Sequence, residues 1–228
     1  MKMAIWLVLI VVLGVLVASC RDDPEPPAVQ AEPAEQGKSS LTIVAVGDSL
    51  TAGYGIEESE AYPALVEKAL RVEGMKVQVV NAGVSGETSS GTLARLDWVL
   101  TLDPDIVILE TGANDGLRGL DTAMVRDNLE QIIDLLQQRD IVVILAGMKM
   151  VWNLGPAYTG EFNRIFPDLA AKKELIFMPF FLQGVATDPA LNRDDGIHPN
   201  PAGHRIIADN ILPFVRQAIT VAGNKASR

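Results

Sequence analysis

The chain has 228 residues, a formal charge of −10 and no run of lysine and arginine. This excludes the clustered cations that nucleic-acid phosphates require. One cysteine and two histidines exclude an internal disulfide framework and a thiolate zinc site, so neither metal nor cofactor is expected.

The elements follow in chain order. Lys2 precedes an uncharged apolar run over 4–18, about 15 residues and short of the roughly 20 a membrane span needs. Small residues close it at Val17-Ala18-Ser19-Cys20, the pattern of a secretory signal peptide over 1–19. The stretch 20–39 is rich in Pro, Glu, Ala and Asp and predicts a disordered tether reaching on the order of 25 Å. Beyond it, 40–228 is long enough for one domain with a sizeable core.

Within that domain apolar strands alternate with amphipathic helices. Strands are predicted over 41–46, 76–80, 105–110, 141–146 and 174–178. Helices are predicted over 62–72, 92–102, 122–139, 158–173 and 200–212, the last kinked or interrupted at Pro213. Continuously apolar strands joined by helices imply a parallel sheet covered on both faces, with ligands bound beyond the strands' carboxyl ends. Three polar, glycine-containing segments fall at those ends: Gly47-Asp48-Ser49, residues 81–86 and Thr111-Gly112-Ala113-Asn114-Asp115.

Two stretches almost 150 residues apart hold a serine, a histidine and an aspartate: Val46-Gly47-Asp48-Ser49-Leu50 and Asp194-Asp195-Gly196-Ile197-His198-Pro199. Those are the parts that activate a hydroxyl as a nucleophile. Ser49 reads either as that nucleophile or as a helix cap. Thr51 stands where the G-x-S-x-G elbow needs glycine, which disfavours an α/β-hydrolase. Asp195, three residues before His198, could orient the imidazole. The alternative is an Asp turn before a helix opened by Pro199. His204 falls inside the predicted helix, as a surface or packing residue. Asn114 and Gly86 could supply oxyanion donors, though both residue types are ordinary in loops.

The blocks Gly47-Asp48-Ser49-Leu50, Ser85-Gly86-Glu87-Thr88, Gly112-Ala113-Asn114-Asp115 and Asp195-Gly196-Ile197-His198-Pro199 resemble, in order and spacing, the four motifs of the SGNH (GDSL) hydrolases. The similarity runs through residues 41–218 and is nearest to the arylesterase, thioesterase I and lysophospholipase L1 subgroup. The resemblance implies a three-layer, flavodoxin-like α/β sandwich with a five-stranded parallel sheet. It implies Ser49 as nucleophile, His198 as general base and Asp195 as its orienter. The oxyanion hole would be the Ser49 and Gly86 N–H groups and the Asn114 amide, with Gly83 an alternative to Gly86. Asp48 would steady the turn.

The expected activity is hydrolysis of acyl or aryl carboxylic esters, with lysophospholipids and thioesters as further substrates. The apolar connection over 148–158, containing Met150, Val151, Trp152, Leu154 and Tyr158, would contact the acyl chain or pack as loop core. Leu117 is a further acyl-contact candidate and Leu120 follows it. Two alternatives are a carbohydrate deacetylase of the same superfamily and a non-catalytic lipoprotein that binds acyl chains. Residues 17–20 resemble the lipobox of bacterial lipoproteins, which implies acylation of Cys20 and anchorage in a membrane. Arg21, in place of aspartate, points by analogy to the outer membrane of a Gram-negative envelope.

Overall fold

The computed structural model describes residues 40–150 and 154–226. The leader over 1–19, Cys20, the tether over 20–39, and Val151 and Trp152 lie outside the described residues. Among those described, no helix is long and apolar enough to cross a membrane.

Five strands, β1 (Leu41–Gly47), β2 (Val77–Gly83), β3 (Ile106–Leu109), β4 (Val142–Ala146) and β5 (Ile176–Met178), form one sheet in the order β2-β1-β3-β4-β5. Every neighbouring pair is parallel. β3 and β4 read Ile-Val-Ile-Leu and Val-Val-Ile-Leu-Ala and are buried at every position. Residues apolar on both faces of the pleat can only be satisfied by helices above and below. α2 (Tyr62–Val72) packs beside α8 (Pro201–Ala226), while α6 (Thr122–Gln137) packs beside α3 (Ser89–Ala94) and α7 (Pro156–Lys172). The short helices α1 (Ser49–Ala52), α4 (Leu96–Leu100) and α5 (Ala113–Leu117) complete the set.

The chain leaves β1 towards β2 on one side and returns to β3 on the other. The loops after β1 and β3 therefore diverge and leave a crevice at their carboxyl ends. α1 and α5 open into that crevice.

Four expectations are corrected. β2 does not stop at Val80. Asn81, Ala82 and Gly83 pair with Ala45, Val46 and Gly47, because the strand must match the full length of β1. The helix expected over 92–102 is two pieces, α3 and α4. Arg95 leaves helical geometry between them (φ −103°, ψ 9°), its guanidinium turned onto both Glu87 carboxylate oxygens and the Ala82 carbonyl, each at 2.7 Å. The last helix opens at Pro201 rather than Pro199, and Asn200 Oδ1 accepts from the Ala202 and Gly203 N–H groups. It also runs through Pro213 to Ala226. Pro213 faces solvent, while Ile207, Ile211, Val215 and Ala218 are fully buried, so packing of the apolar face outweighs the lost hydrogen bond.

Side chains of α2 occupy two backbone positions on the outer edge of β2. Glu67 Oε2 accepts from the Val79 N–H at 2.6 Å, and Arg71 Nε donates to the Val77 carbonyl at 3.2 Å. β5, the opposite edge, is three residues long.

Candidate active site

The turn after β1 sets Ser49. Gly47 closes the strand where a Cβ would fall 2.2 Å from Thr51 Oγ1 and 2.4 Å from Glu110 Oε2, so no larger residue fits. Asp48 caps α1, its Oδ1 accepting from the Leu50 N–H at 2.9 Å. Beneath the turn, Glu110 Oε2 accepts from Thr51 Oγ1 at 2.7 Å and the Asp48 N–H at 3.3 Å. Burial, then the neighbouring Asp48 charge, push the Glu110 carboxyl well above the usual range. Burial also raises Asp48 to about 6, against the pull of the Leu50 N–H. Two buried carboxyls that cannot both ionise freely thus brace the turn.

The residues after β5 bring the histidine to the serine. Asn192 and Pro199 form an antiparallel bridge, the Arg193 N–H donates to the His198 carbonyl at 2.8 Å and the Asn200 N–H to the Leu191 carbonyl at 2.9 Å. This narrow loop places His198 Nε2 2.9 Å from Ser49 Oγ. On the other side of the ring, Nδ1 lies 2.9 Å from Asp195 Oδ2. Asp195 Oδ1 accepts from the Ile197 and His198 N–H groups at 3.0 Å each. The His198 ring foremost, and then those two N–H groups, hold Asp195 down at about 2, so it remains an anion across the neutral range. Tyr54 packs against the imidazole at 4.7 Å between centroids, and Arg193 lies over the Tyr54 ring.

Asn114 comes from α5 at the end of β3. Its Nδ2 donates to Asp48 Oδ2 at 3.0 Å and to the Glu87 carbonyl at 2.9 Å. Gly86 adopts φ +80°, a region that penalises any side chain, and its carbonyl accepts from Arg118 at 2.9 Å. Gly83 serves a different purpose. Its N–H donates to Asn81 Oδ1, and a Cβ there would fall 2.2 Å from the Ala52 nitrogen, so it packs β2 against α1.

Asp48, Ser49, Gly86, Asn114 and His198 line one cavity of about 700 Å³. Its apolar wall includes Leu117, Met148, Met150, Phe180 and Leu182. Leu117 and Met150 are thus where an acyl contact was expected, whereas Val151 and Trp152 fall outside the described residues. Tyr158 is not on the wall. Its hydroxyl donates to the Leu120 carbonyl at 2.8 Å, so this end of the 148–158 connection packs as loop core. Sequence reasoning missed Tyr54, Phe180, Leu182 and Ile197. The apolar run Phe180-Phe181-Leu182 straight after a strand was the available signal.

His204 is buried, and its Nδ1 accepts from the Tyr62 N–H at 3.2 Å. It is a packing residue, and burial lowers it to about 4. Among the described residues no group of three or more His, Cys, Asp or Glu side chains could hold a metal ion.

A flavodoxin-like parallel sheet carrying this serine, histidine, aspartate and asparagine at its carboxyl edge defines a hydrolase of the SGNH class. The chain belongs to the GDSL-like lipase/acylhydrolase family, whose model matches residues 45–206. It is 37% identical to the esterase TesA of Pseudomonas aeruginosa over 182 residues, 79% of this chain and 90% of that one. It is 38% identical to thioesterase 1/protease 1/lysophospholipase L1 of Escherichia coli K12 over 169 residues, 74% of this chain and 80% of that one. A crystal structure of TesA superposes with a TM-score of 0.75 at 37% identity, covering 78% of this chain and 99% of that one.

Proposed function

We propose that this SGNH esterase cleaves carboxylic esters of apolar acyl chains through an acyl-enzyme on Ser49. The observation that carries the reading is the unbroken relay from Asp195 through His198 to Ser49, 2.9 Å at each link, on the wall of an apolar cavity.

His198 Nε2 takes the Ser49 proton as Oγ attacks the carbonyl carbon, and Asp195 stabilises the imidazolium that forms. The tetrahedral oxyanion is held by the Ser49 and Gly86 N–H groups and by Asn114 Nδ2. In the resting enzyme both Asn114 N–H bonds are taken, one by the Asp48 carboxylate and one by the Glu87 carbonyl. An oxyanion is a stronger acceptor than a neutral carbonyl, so the Glu87 bond is the one exchanged or shared as charge develops. Collapse returns the proton from His198 to the departing alcohol. Water, deprotonated by the same imidazole, then releases the acid. The acyl chain lies against Leu117, Met150, Phe180 and Leu182. The thioesterase and lysophospholipase activities of the Escherichia coli relative support thioesters and lysophospholipids as further substrates beside aryl esters.

Hydrolysis of p-nitrophenyl acetate, butyrate and octanoate by the wild type and by Ser49→Ala tests the mechanism. Turnover that rises towards octanoate and is lost in the variant is expected. Activity confined to acetate would favour a deacetylase, and none on any ester would favour an acyl-chain-binding protein.

The leader and the Cys20 context support a lipid-anchored enzyme of the bacterial cell envelope. The tether over 20–39 would hold the catalytic body close to a membrane, and Arg21 favours the outer one.

A further inference from the structure

The cavity wall carries few formal charges. Its ionisable side chains are Asp48, Tyr54, Lys149 and His198. Asp48 is committed to the Leu50 N–H and the Asn114 amide, and His198 to Ser49 and Asp195. Lys149 is different. It is exposed and has no carboxylate within ion-pair reach among the described residues, as is true of several surface cations, but it alone of these lines the cavity. Its ammonium sits 5.2 Å from the centre of the Phe180 ring, itself part of the wall. A cation held over an aromatic face gains a preferred position. An exposed lysine on the rim of an otherwise apolar cavity can offer its ammonium to an anion on a bound ester.

The topology gives the spacing of the strands that lead to the two residues. Ser49 follows β1, Lys149 follows β4, and β3 lies between those strands. We propose that Lys149 is a specificity determinant that binds an anionic group carried by the ester on the β4 side of the carbonyl under attack, the strands that lead to the two residues standing about 10 Å apart. A carboxylate at the far end of the acyl chain and the phosphate of a lysophospholipid headgroup share that chemistry. The inference rests on Ser49 being the nucleophile.

The test compares kcat/KM for matched pairs with the full chain, Lys149→Gln and Lys149→Arg. One pair is p-nitrophenyl octanoate and the p-nitrophenyl monoester of octanedioic acid. The other is a lysophosphatidylglycerol and its uncharged monoacylglycerol counterpart. In Lys149→Gln the anionic-to-neutral ratio is expected to fall about tenfold in at least one pair, the factor of one charge-assisted contact. Lys149→Arg should restore most of it, and added salt should lower the wild-type ratio but not that of Lys149→Gln. A fall in the first pair places the anion on the acyl chain, and a fall in the second places it on the headgroup. Ratios unchanged in both pairs, with neutral-ester turnover intact, overturn the proposal and leave the serine mechanism standing. Loss of that mechanism would show separately, as wild-type turnover that Ser49→Ala does not abolish.

Discussion

Asn114 ties three segments together. One amide nitrogen reaches Asp48, after β1, and the Glu87 carbonyl, after β2, from its own place after β3. If that nitrogen also meets the oxyanion, Asn114→Ala loses a transition-state donor, which typically costs about 10² to 10³ in kcat. The expected result is a loss in that range with KM little changed and a folded protein by circular dichroism. Wild-type turnover would remove Asn114 from the chemistry. The second histidine serves stability instead. A ring whose Nδ1 accepts from the Tyr62 N–H must be unprotonated there, and burial lowers His204 from an ordinary 6.5 to about 4. Between those values the unfolded chain binds the extra proton, so stability falls as pH drops through that window and is full above it. The difference in unfolding free energy between wild type and His204→Gln should shrink by roughly 3 kcal/mol from pH 7 to pH 4. A difference independent of pH would mean that folding does not lower His204.

At the scale of elements, α8 shows packing overriding propensity. Proline inside a helix costs about 3 kcal/mol relative to alanine, part of it offset because proline also stiffens the unfolded chain. Pro213 is on the solvent face, so Pro213→Ala fills nothing and should gain roughly 1–2 kcal/mol, read as a rise in Tm. A lower Tm would mean that the helix needs the proline's geometry to follow the sheet. The same helix marks where sequence reading runs out. Strands β1, β3 and β4 were legible because each is an apolar run with no other means of burial. Ser49 and His198 were legible because only two histidines compete and each block carries its own turn residues. The break at Arg95 was not, because it depends on Glu87 and Ala82, brought close only by the fold. The last three residues of β2 were hidden for the same reason: Asn81, Ala82 and Gly83 look like a loop until β1 lies beside them. The cavity wall contributed by Phe180 and Leu182 depends on β5, whose three residues are too few to mark the next segment as part of a site.

For the whole molecule, anchorage can be tested apart from catalysis. Expressed with its leader in a Gram-negative host, the wild-type chain should sediment with membranes and release into detergent, while Cys20→Ala should appear in the soluble envelope fraction or remain an unprocessed precursor. Equal incorporation of a labelled fatty acid into both forms would rule out the acylated cysteine. If the chain is anchored as proposed, fixing many copies to one surface raises a colloidal problem, since neighbours then meet repeatedly in two dimensions. A sheet with a vacant margin would turn such meetings into growth, each copy adding its strand to the next. Glu67 and Arg71 already occupy backbone positions on the outer margin of β2, and β5 offers too short a strip to seed a ladder. Both margins of the sheet thus carry features that oppose strand addition between copies.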